Sequence, residues 1–91
     1  MSNKIIAVFD LAGMTAEQYD QVLGGLEAAG GAQSGRLFHA ASVKEDGLLA
    51  IDVWESPEQL KQFGQILIPL LQKVGVTPSP PQVYPVHNMM A

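Results

Sequence analysis

Arg36-Leu37-Phe38-His39-Ala40-Ala41-Ser42-Val43-Lys44-Glu45-Asp46-Gly47-Leu48-Leu49-Ala50-Ile51-Asp52-Val53-Trp54 reads as a β-hairpin. Two apolar runs rich in strand-favouring side chains flank Asp46-Gly47, and an Asp-Gly in that setting is the strongest short-range hairpin signal. The polar exceptions inside the runs, His39 and Asp52, are the best clue to chemistry. A two-residue turn at Asp46-Gly47 pairs Ala41 with Asp52 and His39 with Trp54. A four-residue loop instead pairs His39 with Asp52. Both loops are even, so His39, Asp52 and Trp54 share one face in either register. They stand about 5 Å apart if directly opposed and roughly 7–8 Å on the diagonal.

Upstream of the hairpin, Lys4 to Leu11 reads as a strand. Its apolar run is continuous, which predicts cover on both faces. Thr15-Ala16-Glu17-Gln18 fits a capping box, with Met14 and Tyr19 as a hydrophobic staple. Tyr19, Val22, Leu23 and Leu26 then form one helical stripe. Gly24-Gly25 weakens that helix by about 1 kcal/mol per glycine relative to alanine. Its expected use is close packing of helix on sheet, since a phosphate loop needs glycines before a helix start. Gly30-Gly31 stops the helix, and Ala32 to Gly35 is loop.

Downstream, Ser56-Pro57-Glu58-Gln59 opens a second helix with a serine cap and proline at its first position. Leu60, Phe63, Leu67, Leu71 and Val74 form its buried stripe. Pro69 cannot donate to the carbonyl of Gln65, so the helix is expected over Pro57–Ile68, with a short second segment ending at Gly75. Val76 to Pro81 is a stiff linker. Gln82 to Met90 is the last strand, and Pro85 marks it as an edge.

Ninety-one residues make one domain, expected to span 1–91. A chain this short buries only about 60–65% of its unfolded surface. Yet 47% of its residues are hydrophobic and 15% charged, which suggests that some apolar surface is covered by a partner subunit. The chain has no cysteine, which suits a cytoplasmic setting. Its net charge is −4, with Arg36 the sole arginine and the lysines scattered, so no nucleic-acid footprint exists. Met1-Ser2-Asn3-Lys4 leads into a short apolar run ended by Asp10, so neither a signal peptide nor a membrane span is expected.

The order strand, helix, strand, strand, helix, strand is the ferredoxin-like split βαβ pattern, an α+β fold. It predicts an antiparallel sheet in order 4-1-3-2 with both helices on one face. Ile5, Ala7 and Phe9 occupy one face of the first strand, Ile6 and Val8 the other. Both faces of the sheet are apolar, and one layer of helices covers only one. A second copy of the chain, its sheet facing the first, is the expected cover. Leu49, Ile51 and Val53, wholly apolar, are expected to face the helices, leaving His39, Asp52 and Trp54 on the dimer side.

Three features together resemble the dimeric α/β-barrel superfamily, in particular its antibiotic-biosynthesis-monooxygenase-like branch. They are Leu37-Phe38-His39-Ala40-Ala41, the junction Asp52-Val53-Trp54-Glu55-Ser56-Pro57-Glu58, and Val86-His87-Asn88. The similarity spans nearly the whole chain. It implies a small homodimer with a cavity between helices and sheet or between the sheets. Cofactor-independent oxygenases belong to that branch, so the resemblance implies no cofactor. Haem-degrading members use an asparagine in the first strand and a helical histidine. This chain has neither, both histidines lying in predicted strands, so haem degradation is not expected.

Two functions follow as expectations. In the first, His39 is a general base oriented by Asp52, with Trp54, His87 and Phe9 around an apolar or aromatic substrate. Removing a proton from a phenol or quinol leaves an anion that can reduce oxygen itself. In the second, the chain is a non-catalytic dimer, binding a ligand or serving a structural role, with His39 and Asp52 a buried hydrogen bond. An enclosed cavity at His39 separates the two. A metal is not expected: in order 4-1-3-2 the strands carrying His39 and His87 are opposite edges, about 14 Å apart at roughly 4.8 Å per strand. Arg36 is expected to pair with a carboxylate across the dimer, with a substrate-anion clamp as the other option.

Overall fold

The structure, a computed structural model, describes residues 3–29 and 35–90. The expected glycine stop at Gly30-Gly31 and most of the loop after it lie outside those residues. Strand β1 (Ile5–Ala12) is followed by helix α1 (Ala16–Ala28), strands β2 (Arg36–Lys44) and β3 (Gly47–Trp54), helix α2 (Pro57–Lys73) and strand β4 (Gln82–Pro85). The sheet is antiparallel in order β2-β3-β1-β4, which is the expected 4-1-3-2 read from the other edge. No described helix is long and apolar enough to cross a membrane.

Local chemistry sets the helix ends. The Thr15 hydroxyl accepts from the Gln18 backbone N–H, and the Gln18 side chain accepts from the Thr15 N–H, the reciprocal box that the sequence predicts. The Ser56 hydroxyl likewise accepts from the Gln59 N–H. Helix α2 does not break at Pro69. It runs unbroken to Lys73, and Pro69 is exposed. A proline on the solvent side leaves the orphaned Gln65 carbonyl open to water, so the helix continues with one bond fewer. It ends instead at Gly75, whose φ of 85° suits a left-handed cap. The N–H of Gly75 donates to Gln72 and that of Val76 to Leu71, closing a Schellman motif.

The helices share one face of the sheet. Ile5, Ala7, Phe9 and Leu11 of β1 join Leu48, Ala50 and Trp54 of β3, and on them pack Val22 and Leu26 of α1 with Phe63 and Leu71 of α2. The closest helix approach is to the other helix. A Cβ on Gly25 would lie 2.6 Å from a Leu70 methyl, so Gly25 serves the α1–α2 contact and not the sheet.

The expected assignment of faces is reversed. Asp52 and Trp54 point toward the helices, and Ile51 stands on the open face at 38% exposure. The reason lies in the register. Leu49 pairs with Asp10, Ile51 with Val8, and Val53 with Ile6. The Leu49 face therefore carries Asp10, while the Trp54 face meets Ile5, Ala7, Phe9 and Leu11 without a charge from β1. The last strand is also shorter than expected. It stops at Pro85, so His87 and Asn88 follow the sheet and are exposed.

Leu48 is 1% exposed at the centre of the helix-side core. Leu48→Ala is expected to cost about 2–5 kcal/mol, through lost burial and the cavity left behind. Urea denaturation at fixed protein concentration measures it.

Candidate active site

The hairpin takes the register in which His39 faces Asp52, with Lys44 opposite Gly47 and Glu45-Asp46 as the two-residue loop. The pair is therefore direct. Imidazole Nδ1 lies 2.5 Å from Asp52 Oδ1, and Asp52 is 2% exposed. The second carboxylate oxygen accepts from the indole N–H of Trp54 at 3.3 Å. A carboxylate only accepts, so Nδ1 carries the hydrogen, which in the neutral imidazole leaves the lone pair on Nε2. Facing Nε2 at 2.5 Å is the hydroxyl of Tyr19, one turn into α1. The two rings meet end to end, with centroids 6.0 Å apart and planes 7° from parallel. Tyr19, His39 and Asp52 thus form a continuous hydrogen-bonded chain from helix to sheet. Tyr19 donates to His39, and His39 donates to Asp52.

Burial is the largest influence on the Tyr19 phenol and raises its pKa above the ordinary value. The Arg36 charge works against this, while Asp52 and Asp20 add to it. The chain can therefore pass a proton without holding a phenolate at rest.

The chain borders a small cavity of about 40 Å³ between sheet and helices, walled by side chains such as Phe9, Leu11, Leu48 and Phe63. That volume admits a water and falls well below the roughly 150 Å³ that holds a benzene. Beside it lies a much larger cleft of about 660 Å³, between α2, the segment Pro78–Pro81 and the edge formed by β1 and β4. It is within the range of about 300–1,000 Å³ typical of small-molecule sites. Phe9, Phe63, Leu67 and Leu71 line both spaces and so form the partition between them.

The structure brings His39 and Asp52 together and sets Phe9 on the partition. Trp54 lines neither space. It is fully buried, packed on Phe63 at 4.9 Å between centroids, and serves Asp52 as its second donor. His87 lines neither space and is exposed. Tyr19, read from the sequence as a staple residue, also belongs to the site. Its signal was a phenol, the one polar tip, in an otherwise aliphatic stripe. Among the described residues no group of three or more His, Asp or Glu side chains is placed to hold a metal.

No protein family and no curated protein matches the chain in sequence. Solved structures do match in shape. A candidate monooxygenase from Shewanella loihica PV-4 aligns over 98% of this chain and 99% of its own, at 18% identity and a TM-score of 0.58. A variant of SnoaB, a cofactor-independent oxygenase from Streptomyces nogalater, aligns over 96% and 94%, at 17% identity and 0.62. NE2512, a Nitrosomonas europaea protein of unknown function, aligns over 100% and 93%, at 16% identity and 0.56. The likeness is one of fold: over nearly its whole length this chain has the ferredoxin-like architecture that the order of its elements predicts, as do these structures of the monooxygenase-like kind it resembles.

Proposed function

We infer that the chain is a cofactor-independent monooxygenase that takes an apolar or aromatic small molecule into the space beneath α2. The reading rests on the Tyr19–His39–Asp52 chain, which ends at an apolar cavity. The Tyr19 oxygen keeps lone pairs free to accept from a substrate hydroxyl. As it accepts, its own proton moves to His39 Nε2, and Asp52 faces the charge that forms on the ring. The substrate anion then supplies electrons to oxygen. For a phenol the balance closes with no other reactant. The phenol loses its O–H proton and one ring hydrogen. One oxygen atom becomes the second carbonyl of a quinone, and the other leaves with both hydrogens as water.

A second reading has an observation of its own. The cavity at His39 holds about 40 Å³, too little for a ring unless Phe63 or Leu67 moves. A non-catalytic protein would hold its ligand in the larger cleft and use the Tyr19–His39–Asp52 chain to fasten α1 to the hairpin. Oxygen uptake with a panel of phenols and quinols separates the two. Turnover is expected, and Tyr19→Phe and His39→Gln should each lower its rate by about a hundredfold or more while the fold persists. Uptake by none of the panel, or by both variants as by the parent, favours the binding reading.

The raised Tyr19 pKa carries a pH signature. Its stabilising contribution is complete below the unfolded value, 10.0, and is lost as pH rises through the higher folded value. Denaturation measured at increasing alkalinity should show this decline in the parent, and Tyr19→Phe should flatten it.

The assembly we infer is a homodimer with facing sheets. Phe38, Ile51 and Tyr84 are 53%, 38% and 50% exposed on the helix-free face, with Ile6, Val8 and Val53 between them. Native mass spectrometry at micromolar concentration should give a dimer. Phe38→Asp should give a folded monomer, because the side chain is already open in the single chain. A monomeric parent would overturn the assembly.

A further inference from the structure

We propose that Arg36 selects phenols as substrates, by holding the phenolate oxygen that the Tyr19–His39 relay creates. The inference rests on the catalytic reading above and names the substrate class for the same site.

Three observations place Arg36 there. First, strict alternation along β2 would put residue 36 on the face opposite His39, beside Phe38. A register shift between Arg36 and Phe38 sets Arg36 opposite Trp54 instead, on the helix side. The extra residue is Leu37, and bulges of this kind re-aim a side chain. Second, the guanidinium lies 5.7 Å from the centre of the Phe63 ring, so the wall between the two spaces also steadies the charge. Third, Arg36 lines the cavity of His39 and Asp52, yet among the described residues it enters no ion pair. Its charge reaches the Tyr19 hydroxyl, whose ionisation it favours.

A cation against apolar walls gains most from an anion that displaces water from it. Its planar fork of N–H donors suits an ionised oxygen. The relay leaves its substrate with that oxygen, close to Tyr19. Arg36 therefore acts on the ionised form and not on the ring. A ring of the same shape without an acidic hydrogen gains only the apolar contacts.

The test uses 4-nitrophenol, whose phenolate absorbs in the visible, and 4-nitroanisole, a similar ring that cannot ionise. Quenching of Trp54 fluorescence reports occupancy by either. With the parent protein, bound 4-nitrophenol should ionise at a pH about one unit lower than in water, a tenfold preference for phenolate. Arg36→Gln should abolish that shift and leave the binding of 4-nitroanisole unchanged. Arg36→Met, which keeps the stem over Phe63, should do the same and serves if Arg36→Gln fails to fold. Both probes binding with no shift, or a shift that survives both variants, would overturn the role of Arg36 alone. A shift lost in His39→Gln but kept in Arg36→Gln would assign the charge to the imidazolium and also overturn it. Quenching by neither probe would remove the binding site, and the proposed function with it.

Discussion

A carboxylate at 2% exposure is the constraint around which this small domain is arranged. Asp52 sits in the middle of β3, on the face that packs against the helices, where an unpaired charge would be prohibitive. Its two oxygens take the imidazole of His39 from the neighbouring strand and the indole of Trp54 two residues on. Removing one partner from such a buried pair typically costs about 3–5 kcal/mol. The pair therefore favours one hairpin register among those the loop permits. It also fixes which nitrogen of His39 is free, and that nitrogen takes the hydroxyl of Tyr19. A single buried charge thus joins α1, β2 and β3 through one continuous chain of hydrogen bonds.

The sheet is apolar on both faces for different reasons. On the helix side, large residues such as Trp54, Phe9 and Leu48 fill the space under α1 and α2. On the open side, Ile6, Val8, Ile51 and Val53 stand side by side on β1 and β3. The Lys44–Asp10 ion pair, 2.9 Å long, stands at one end of it. An exposed pair of that kind adds little stability. It does mark where the apolar surface ends. Both faces lean on the central strands β1 and β3. Strand β3 thus carries Asp52 on one face and Ile51 on the other.

Space is distributed unevenly beneath the helices. The Tyr19–His39–Asp52 chain lies beside the small cavity, while the larger volume lies beyond Phe63 and Leu67. Phe63 and Leu67 belong to α2, as does Leu71, while Phe9 of β1 completes the partition. Phe63 carries Trp54 on one side and the Arg36 guanidinium near its ring. A shift of this one aromatic ring would alter the reach of both spaces and the setting of the cation. Side-chain motion on this scale needs no change in the backbone.

The elements themselves were legible in the sequence. Threonine and serine caps, the helical stripes and the Asp-Gly hairpin signal are local, and each acts within a few residues of where it is written, although the loop itself forms one residue earlier, at Glu45-Asp46. Strand order followed from the order of elements, and the shared face of His39 and Asp52 followed from the period of two along a strand. Which face that was did not follow. Leu49, Ile51 and Val53 look more like core than Asp52 does, and only pairing with β1, which sets Asp10 beside Leu49, decides otherwise. The same holds for Tyr19, whose place opposite His39 depends on how α1 lies across the sheet. It holds for Arg36, which a bulge turns to the inside. His87 failed for a further reason: the strand expected to carry it stops at Pro85. By itself the sequence determined the elements, their order and the face that a histidine and an aspartate share, because these depend on neighbours in the chain. The tertiary structure alone decided the face, the third member of the relay and the cavities, because these depend on contacts between residues far apart in sequence.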